Sequence, residues 1–177
     1  LTDIFSIEEK FGKTKGIVLA YVGDGNNNVC HSLLIGCAKM GIHMHIATPK
    51  KYAPDKEVLK LAKAFAQETA GRIFLTHSPK EAVTGADVIY SDVWVSMGQE
   101  KQAAKRLKDF KGFQINDKLV KGAKNDFAFM HCLPAHRGQE VTTEVIDGSH
   151  SIVFDQAENR LHVQKAIMAF LIQKSGS

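Results

Sequence analysis

No stretch of this sequence approaches the ~20 consecutive apolar residues that a membrane-spanning helix needs, and the amino terminus lacks the basic, apolar, small-residue order of a signal peptide. A cytoplasmic protein with no membrane partner is the expectation. Cysteine is scarce: Cys30, Cys37 and Cys132 are the three in the chain. So small and odd a number argues against a disulfide framework and for a reducing compartment. Charge of one sign is scarce as well, with 23 Lys and Arg against 19 Asp and Glu for a net +4. That excess is too mild to argue for a nucleic-acid partner. Internal repeats, low-complexity tracts and proline-rich linkers are missing, so one domain over residues 1–177 is expected. The first residue is Leu1 rather than Met, which suggests a segment that begins inside a longer chain. What is present, 44% hydrophobic and 24% charged residues, is ordinary for a globular protein with a sizeable core.

Apolar runs at residues 16–22, 43–48, 72–75, 87–91, 127–132 and 151–154 read as short strands. Amphipathic stretches lie between them. One covers 28–40, with Cys30, Leu33, Leu34 and Cys37 on a single stripe and Gly41 as its stop. A second covers 54–69 and ends near Gly71, and a closing helix is suggested by Leu161, Val163, Ile167, Met168 and Leu171. Strands alternating with helices of this length imply βαβ units. The expected architecture is a three-layer α/β/α fold around a mainly parallel, Rossmann-like sheet. Functional residues in such sheets gather at the carboxyl ends of the strands, where the connecting loops open into a crevice.

Four segments fall at that edge. The first, Gly23-Asp24-Gly25-Asn26-Asn27-Asn28, resembles a nucleotide-binding glycine loop but holds Asn28 in place of the third glycine. The next strand ends in Thr48-Pro49-Lys50 with no acid for a ribose hydroxyl, so the dinucleotide fingerprint fails twice. Helix capping by the asparagines explains the loop as well. The second, Ser91-Asp92-Val93-Trp94-Val95-Ser96-Met97-Gly98, offers an acid that could pair with an ammonium group or could merely cap a helix. The third, His131-Cys132-Leu133-Pro134-Ala135-His136, sets a thiol beside an imidazole. Cys132 could be a nucleophile of lowered pKa, a metal ligand with His131 or His136, a substrate-positioning thiol, or an inert buried residue. The last runs from Phe154 to Arg160, read as a polar loop opening the final helix. Its Arg160 suits a phosphate or a helix salt bridge.

Together and in this order these segments resemble the ornithine carbamoyltransferases, over essentially the whole chain from a first helix at 2–11 onward. Asp92 to Gly98 is similar to that family's ornithine loop, and His131 to Pro134 to its His-Cys-Leu-Pro signature. The resemblance implies that Asn28 and Asp92 hold the α-carboxylate and α-amino ends of L-ornithine, with Ser96 and the Met97 backbone completing the pocket. It implies further that Cys132 lies beside the δ-amino group, that the Leu133 carbonyl meets the carbamoyl nitrogen, that Arg160 contacts carbamoyl phosphate, and that Asn27 is a neighbour. No cofactor and no metal are implied. One departure is large: the family's N-terminal domain, with a Ser-Thr-Arg-Thr phosphate loop and a His-Pro-x-Gln segment, has no counterpart in these residues. The family's complete enzyme is a homotrimer with shared sites, so this chain alone is expected to fold without turning over.

The chemistry implied is consistent with those groups. A side-chain amine with a reference pKa of ~10.4 must lose its proton before it attacks, and a closed, desolvated site disfavours the ammonium. Positioning and electrostatic stabilisation would then carry the reaction, and Cys132 need not form a bond. Other readings stay open from sequence: a non-catalytic ornithine-binding or regulatory module, a carbamoyltransferase for another amine such as putrescine, and, weakest, a nicotinamide-dependent dehydrogenase resting on fold analogy.

Overall fold

The computed structural model describes residues 1–175. Five strands form one wholly parallel sheet: β1 (Val18–Val22), β2 (His43–Ala47), β3 (Ile73–Thr76), β4 (Val88–Ser91) and β5 (Ala128–His131), in the order β3-β2-β1-β4-β5. Alternate residues of each strand point to opposite faces, so the sheet has two cores. Leu19, Tyr21, Met44, Tyr90 and Met130 pack on one side with Ile7, Leu34 and Cys37. Ala20, Val22, Ile89 and Phe129 pack on the other with Val83, Trp94, Phe110 and Val141. On the first face lie α1 (Thr2–Phe11), α2 (Asn28–Lys39) and α3 (Lys56–Thr69); the second is covered by α4 (Pro79–Val83), α5 (Ala103–Asp109), α6 (Asp117–Val120) and α7 (Thr143–Ile146). The three-layer expectation holds.

Helix boundaries follow capping chemistry. Asn27 caps α2 by accepting from the Cys30 N–H at 2.7 Å, and Asp55 caps α3 by accepting from Glu57 and Val58. Gly41 follows α2 at φ 70°, as a helix stop should. For α3 the left-handed residue is Ala70, one position before the expected Gly71. The four short helices α4 to α7 span four to seven residues each. Fewer than two turns leave no helical period to read in sequence.

Two sequence expectations are corrected at the carboxyl end. Residues 151–154 do not form a sixth strand: Ser151 makes only an isolated bridge to Phe129, and α8 (Val153–Ser175) starts two residues later. A short apolar run cannot separate a strand from a buried helix start. Here Ile152 enters one core and Val153 the other, while Phe154 is 71% exposed. The stretch from Phe154 to Arg160 is accordingly the first two turns of α8 rather than a loop. The helix is anchored by Val153, Gln156 and Asn159, whereas Leu161, Met168 and Leu171 are exposed and close no core. Gln156 and Asn159 bond instead to α1, through Asp3, Ser6 and Glu9.

Candidate substrate-binding site

The first crossover leaves β1 toward β2, and the chain later returns to pair β4 on the opposite side of β1. The strand order thus reverses between β1 and β4, and ligands of open α/β sheets bind at such a reversal. The loop after β1 carries Asn27 and Asn28, the loop after β4 carries Asp92 and Ser96, and the loop after β5, one strand further, carries Cys132 and Leu133.

Asp92 is the centre of the group and is only 6% exposed. Its Oδ1 accepts from the Val93 N–H at 2.8 Å and from the Cys132 thiol at 3.1 Å, and its Oδ2 accepts from Asn27 Nδ2 at 2.9 Å. Asn27 Nδ2 also donates to Tyr21 Oη at 3.1 Å, and that hydroxyl donates to the Asp24 carbonyl at 3.0 Å. All three donors to Asp92 are neutral, and among the described residues no cation lies within ion-pair distance of it. A buried carboxylate of this kind is a ready partner for an ammonium group.

The thiol of Cys132 is pushed well above the usual thiol range, first by burial and then by the charge of Asp92. It stays protonated at neutral pH and donates to that carboxylate. Of the alternatives open for Cys132, the low-pKa nucleophile is the one this setting does not favour, since a thiolate needs electropositive surroundings. His131 does not join it around a metal: its Nδ1 accepts from the Leu133 N–H at 2.9 Å, and its Nε2 faces the buried Glu140 at 3.5 Å. His136 is exposed, and no metal-binding group of three or more His, Cys, Asp or Glu side chains occurs among the described residues. Leu133 takes the left-handed φ of 53°, rare for a non-glycine residue and concentrated at functional sites.

The structure thus bonds Asp92 and Cys132 directly. Asn28 is exposed at the first position of α2, and Asn27, its less prominent neighbour, is the asparagine inside the network. Ser96 is half-buried, and its N–H is held by Gln99 Oε1 at 3.2 Å. Met97 is 98% exposed at the tip of the loop. Arg160 is exposed on α8, one turn beyond Gln156. Sequence reasoning missed Gln156, which is buried and accepts from the His131 N–H at 3.0 Å while donating to Asp3 and Tyr90. It also missed Tyr21, whose place inside an apolar strand gives no polar signal.

The glycine-like first loop is tied up internally. Gly25 N–H donates to Thr48 Oγ1 at 3.1 Å, Asn26 N–H to Asp24 Oδ1 at 2.9 Å, and Gly23 N–H to the Ala47 carbonyl. A Cβ at Gly25 would meet the Tyr52 carbonyl oxygen at 2.7 Å, so glycine is required there for close packing rather than for approach to a pyrophosphate. The dehydrogenase reading loses its one motif.

Comparison with known proteins identifies the family. The model of the family "Aspartate/ornithine carbamoyltransferase, Asp/Orn binding domain" matches residues 15–171. An ornithine carbamoyltransferase of Carboxydothermus hydrogenoformans is 55% identical over 97% of this chain and 55% of its own length. One from Pyrococcus horikoshii is 56% identical over 97% of this chain and 54% of its own length. Among solved structures, the ornithine carbamoyltransferase of Pyrococcus furiosus superposes with a TM-score of 0.91 at 56% identity, covering 95% of this chain and 53% of that one. The anabolic enzyme of Campylobacter jejuni gives 0.91 at 38% identity, over 98% of this chain and 57% of that one. The chain therefore spans little more than half the length of these relatives, and it belongs to the aspartate/ornithine carbamoyltransferase family, as the Asp/Orn-binding domain.

Proposed function

We propose that this chain is the acceptor-binding half of an enzyme that carbamoylates the δ-amino group of L-ornithine, giving L-citrulline and phosphate in arginine metabolism. The observation that carries the reading is Asp92, a buried carboxylate bonded only to neutral donors, one of them the Cys132 thiol. Asp92 and Asn28 take the α-amino and α-carboxylate ends of ornithine, with Ser96 and the Met97 backbone beside them. The protonated Cys132 thiol orients the δ-amine without bonding to carbon. That amine, once neutral, forms a bond to the carbamoyl carbon; the bond from carbon to the phosphate oxygen breaks, and phosphate leaves with the surplus proton of the amine. The Leu133 carbonyl holds the carbamoyl nitrogen and Arg160 the phosphate. An amino-acid head-group site of Asp92 and Asn28 favours ornithine over a diamine such as putrescine.

The remaining machinery belongs to a second domain of the longer cytoplasmic protein, which assembles as a homotrimer and uses no cofactor. The second domain alone is supported by the half-length coverage of the relatives and by an open apolar groove of about 840 Å³ between α1 and α8, flanked by Phe5, Met40, Ile167 and Phe170. The test is citrulline formation by the two-domain protein, with ornithine titrated calorimetrically into both forms. Citrulline from the two-domain protein and negligible ornithine binding by this chain alone are expected. No citrulline from an intact two-domain protein overturns the proposal, and tight binding by the isolated chain identifies a sensor module instead.

A further inference from the structure

Between the loop after β1 and the loop after β4 lies an arginine that neither the motifs nor the chemistry above uses. Arg106, on α5, is 4% exposed. Its Nη2 forms an ion pair with Asp24 Oδ2, its Nε donates to the Trp94 carbonyl at 2.5 Å, and its guanidinium lies 4.8 Å from the Tyr52 ring and 5.5 Å from that of Phe110. Trp94 stacks on Phe110 at 5.7 Å, and Tyr52 Oη donates to Asp109 Oδ2 at 3.0 Å. The contacts follow a pattern. Trp94 begins the excursion that carries Ser96, Met97 and Gly98, and Arg106 sits in the helix that ends it, so the Nε bond closes that excursion at its base. Asp24 belongs to the loop that carries Asn27 and Asn28, so the ion pair fixes the closed excursion against the other side of the pocket.

We infer that Arg106 is a positioning residue for the acceptor, a clamp that sets the Ser96 and Met97 loop at the right distance from the Asn28 loop without touching substrate. The inference rests on the ornithine reading above. A planar guanidinium can serve the Asp24 carboxylate and the Trp94 carbonyl at once; an ammonium on a flexible stem is a point charge that serves one geometry poorly matched to both. The clamp acts on the acceptor pocket only, because both loops it joins carry proposed ornithine contacts and neither carries Leu133 or Arg160.

The test uses Arg106→Lys, which keeps a cation against buried Asp24, and the double variant Arg106→Gln/Asp24→Asn, which buries no charge. In the two-domain protein each should raise the apparent ornithine constant at least tenfold and leave the apparent carbamoyl phosphate constant within twofold. In this chain, where Trp94 is the one tryptophan, each should red-shift its emission and increase acrylamide quenching. An ornithine constant within twofold of wild type in either variant, an equal rise for carbamoyl phosphate, or unchanged Trp94 quenching overturns the clamp. A wild-type two-domain protein that makes no citrulline refutes the ornithine reading instead, and the fluorescence of this chain then still decides whether Arg106 holds the loop.

Discussion

At the residue scale the site is governed by one carboxylate. Asp92 keeps its neighbours polar and, in the case of Cys132, protonated: its charge adds to burial in holding the thiol form. Replacing Asp92 with Asn removes the charge and leaves the burial, so Cys132 should be alkylated by iodoacetamide at pH 8 to 9 about an order of magnitude faster than in the wild type. Cys30 and Cys37 are fully buried with raised pKa values and should stay unreactive in both. An alkylation rate at Cys132 that ignores the substitution would show that Asp92 is not the group facing the thiol. Cys132 and Asp92 were both legible in the sequence as strand-end residues. That the two share a hydrogen bond was not, because 40 positions separate them, and only the pairing of β4 with β5 brings their strands together.

At the scale of elements, the start of α2 carries two duties on one side chain. Asn27 Oδ1 caps the helix through Cys30 N–H, while Nδ2 reaches Tyr21 and Asp92. Substitution by Ser keeps a capping oxygen but removes the second duty. Asn27→Ala loses both and should cost about 1–3 kcal/mol, from a cap worth roughly 1 kcal/mol and the loss of a donor to a buried acceptor. Asn27→Ser should recover the cap's share only. Urea denaturation of the three proteins at constant m-value distinguishes these outcomes, and equal stability of Ser and Asn at this position would remove Asn27 from the Asp92 network. Capping was one of the readings open for three consecutive asparagines, and Asn27 does cap α2. The substrate role assigned to Asn28 rests on the family resemblance and on its exposure beside the cap.

At the scale of the whole molecule, α8 is the element out of balance. Its first two turns are docked by Val153, Gln156 and Asn159, and beyond them Leu161, Met168, Phe170, Leu171 and Ile172 are 56–71% exposed. Apolar patches of that kind mark interaction surfaces, and on the two-domain reading the second domain covers this one. Met168→Ser together with Ile172→Ser should therefore change the stability of this chain by no more than about 0.5 kcal/mol, and that of the two-domain protein by more than about 2 kcal/mol through lost burial. Comparable losses in both would mean that the face already packs within this chain. No helix among the described residues is long and apolar enough to cross a membrane, so the exposed stripe is not a span.

By itself the sequence determined the periodicity of the elements, and with it the α/β class, because alternation of strands and helices is written in local apolar spacing. It also determined the edge of the sheet at which Asp92, Ser96 and Cys132 would lie, because strand ends are local too. The tertiary structure decided what each residue touches. It turned the segment at 151–154 from an expected strand into the start of α8, since burial on two different cores, not hydrophobicity, separates Ile152 from Val153. It set the Cys132 thiol against the Asp92 carboxylate, and it brought Tyr21, Gln156 and Arg106 into the hydrogen-bond networks around these loops. The contacts around these loops span 65 positions from Asn27 to Asp92 and 82 from Asp24 to Arg106, and electrostatics between residues so far apart in the chain exist only after the sheet has brought them together.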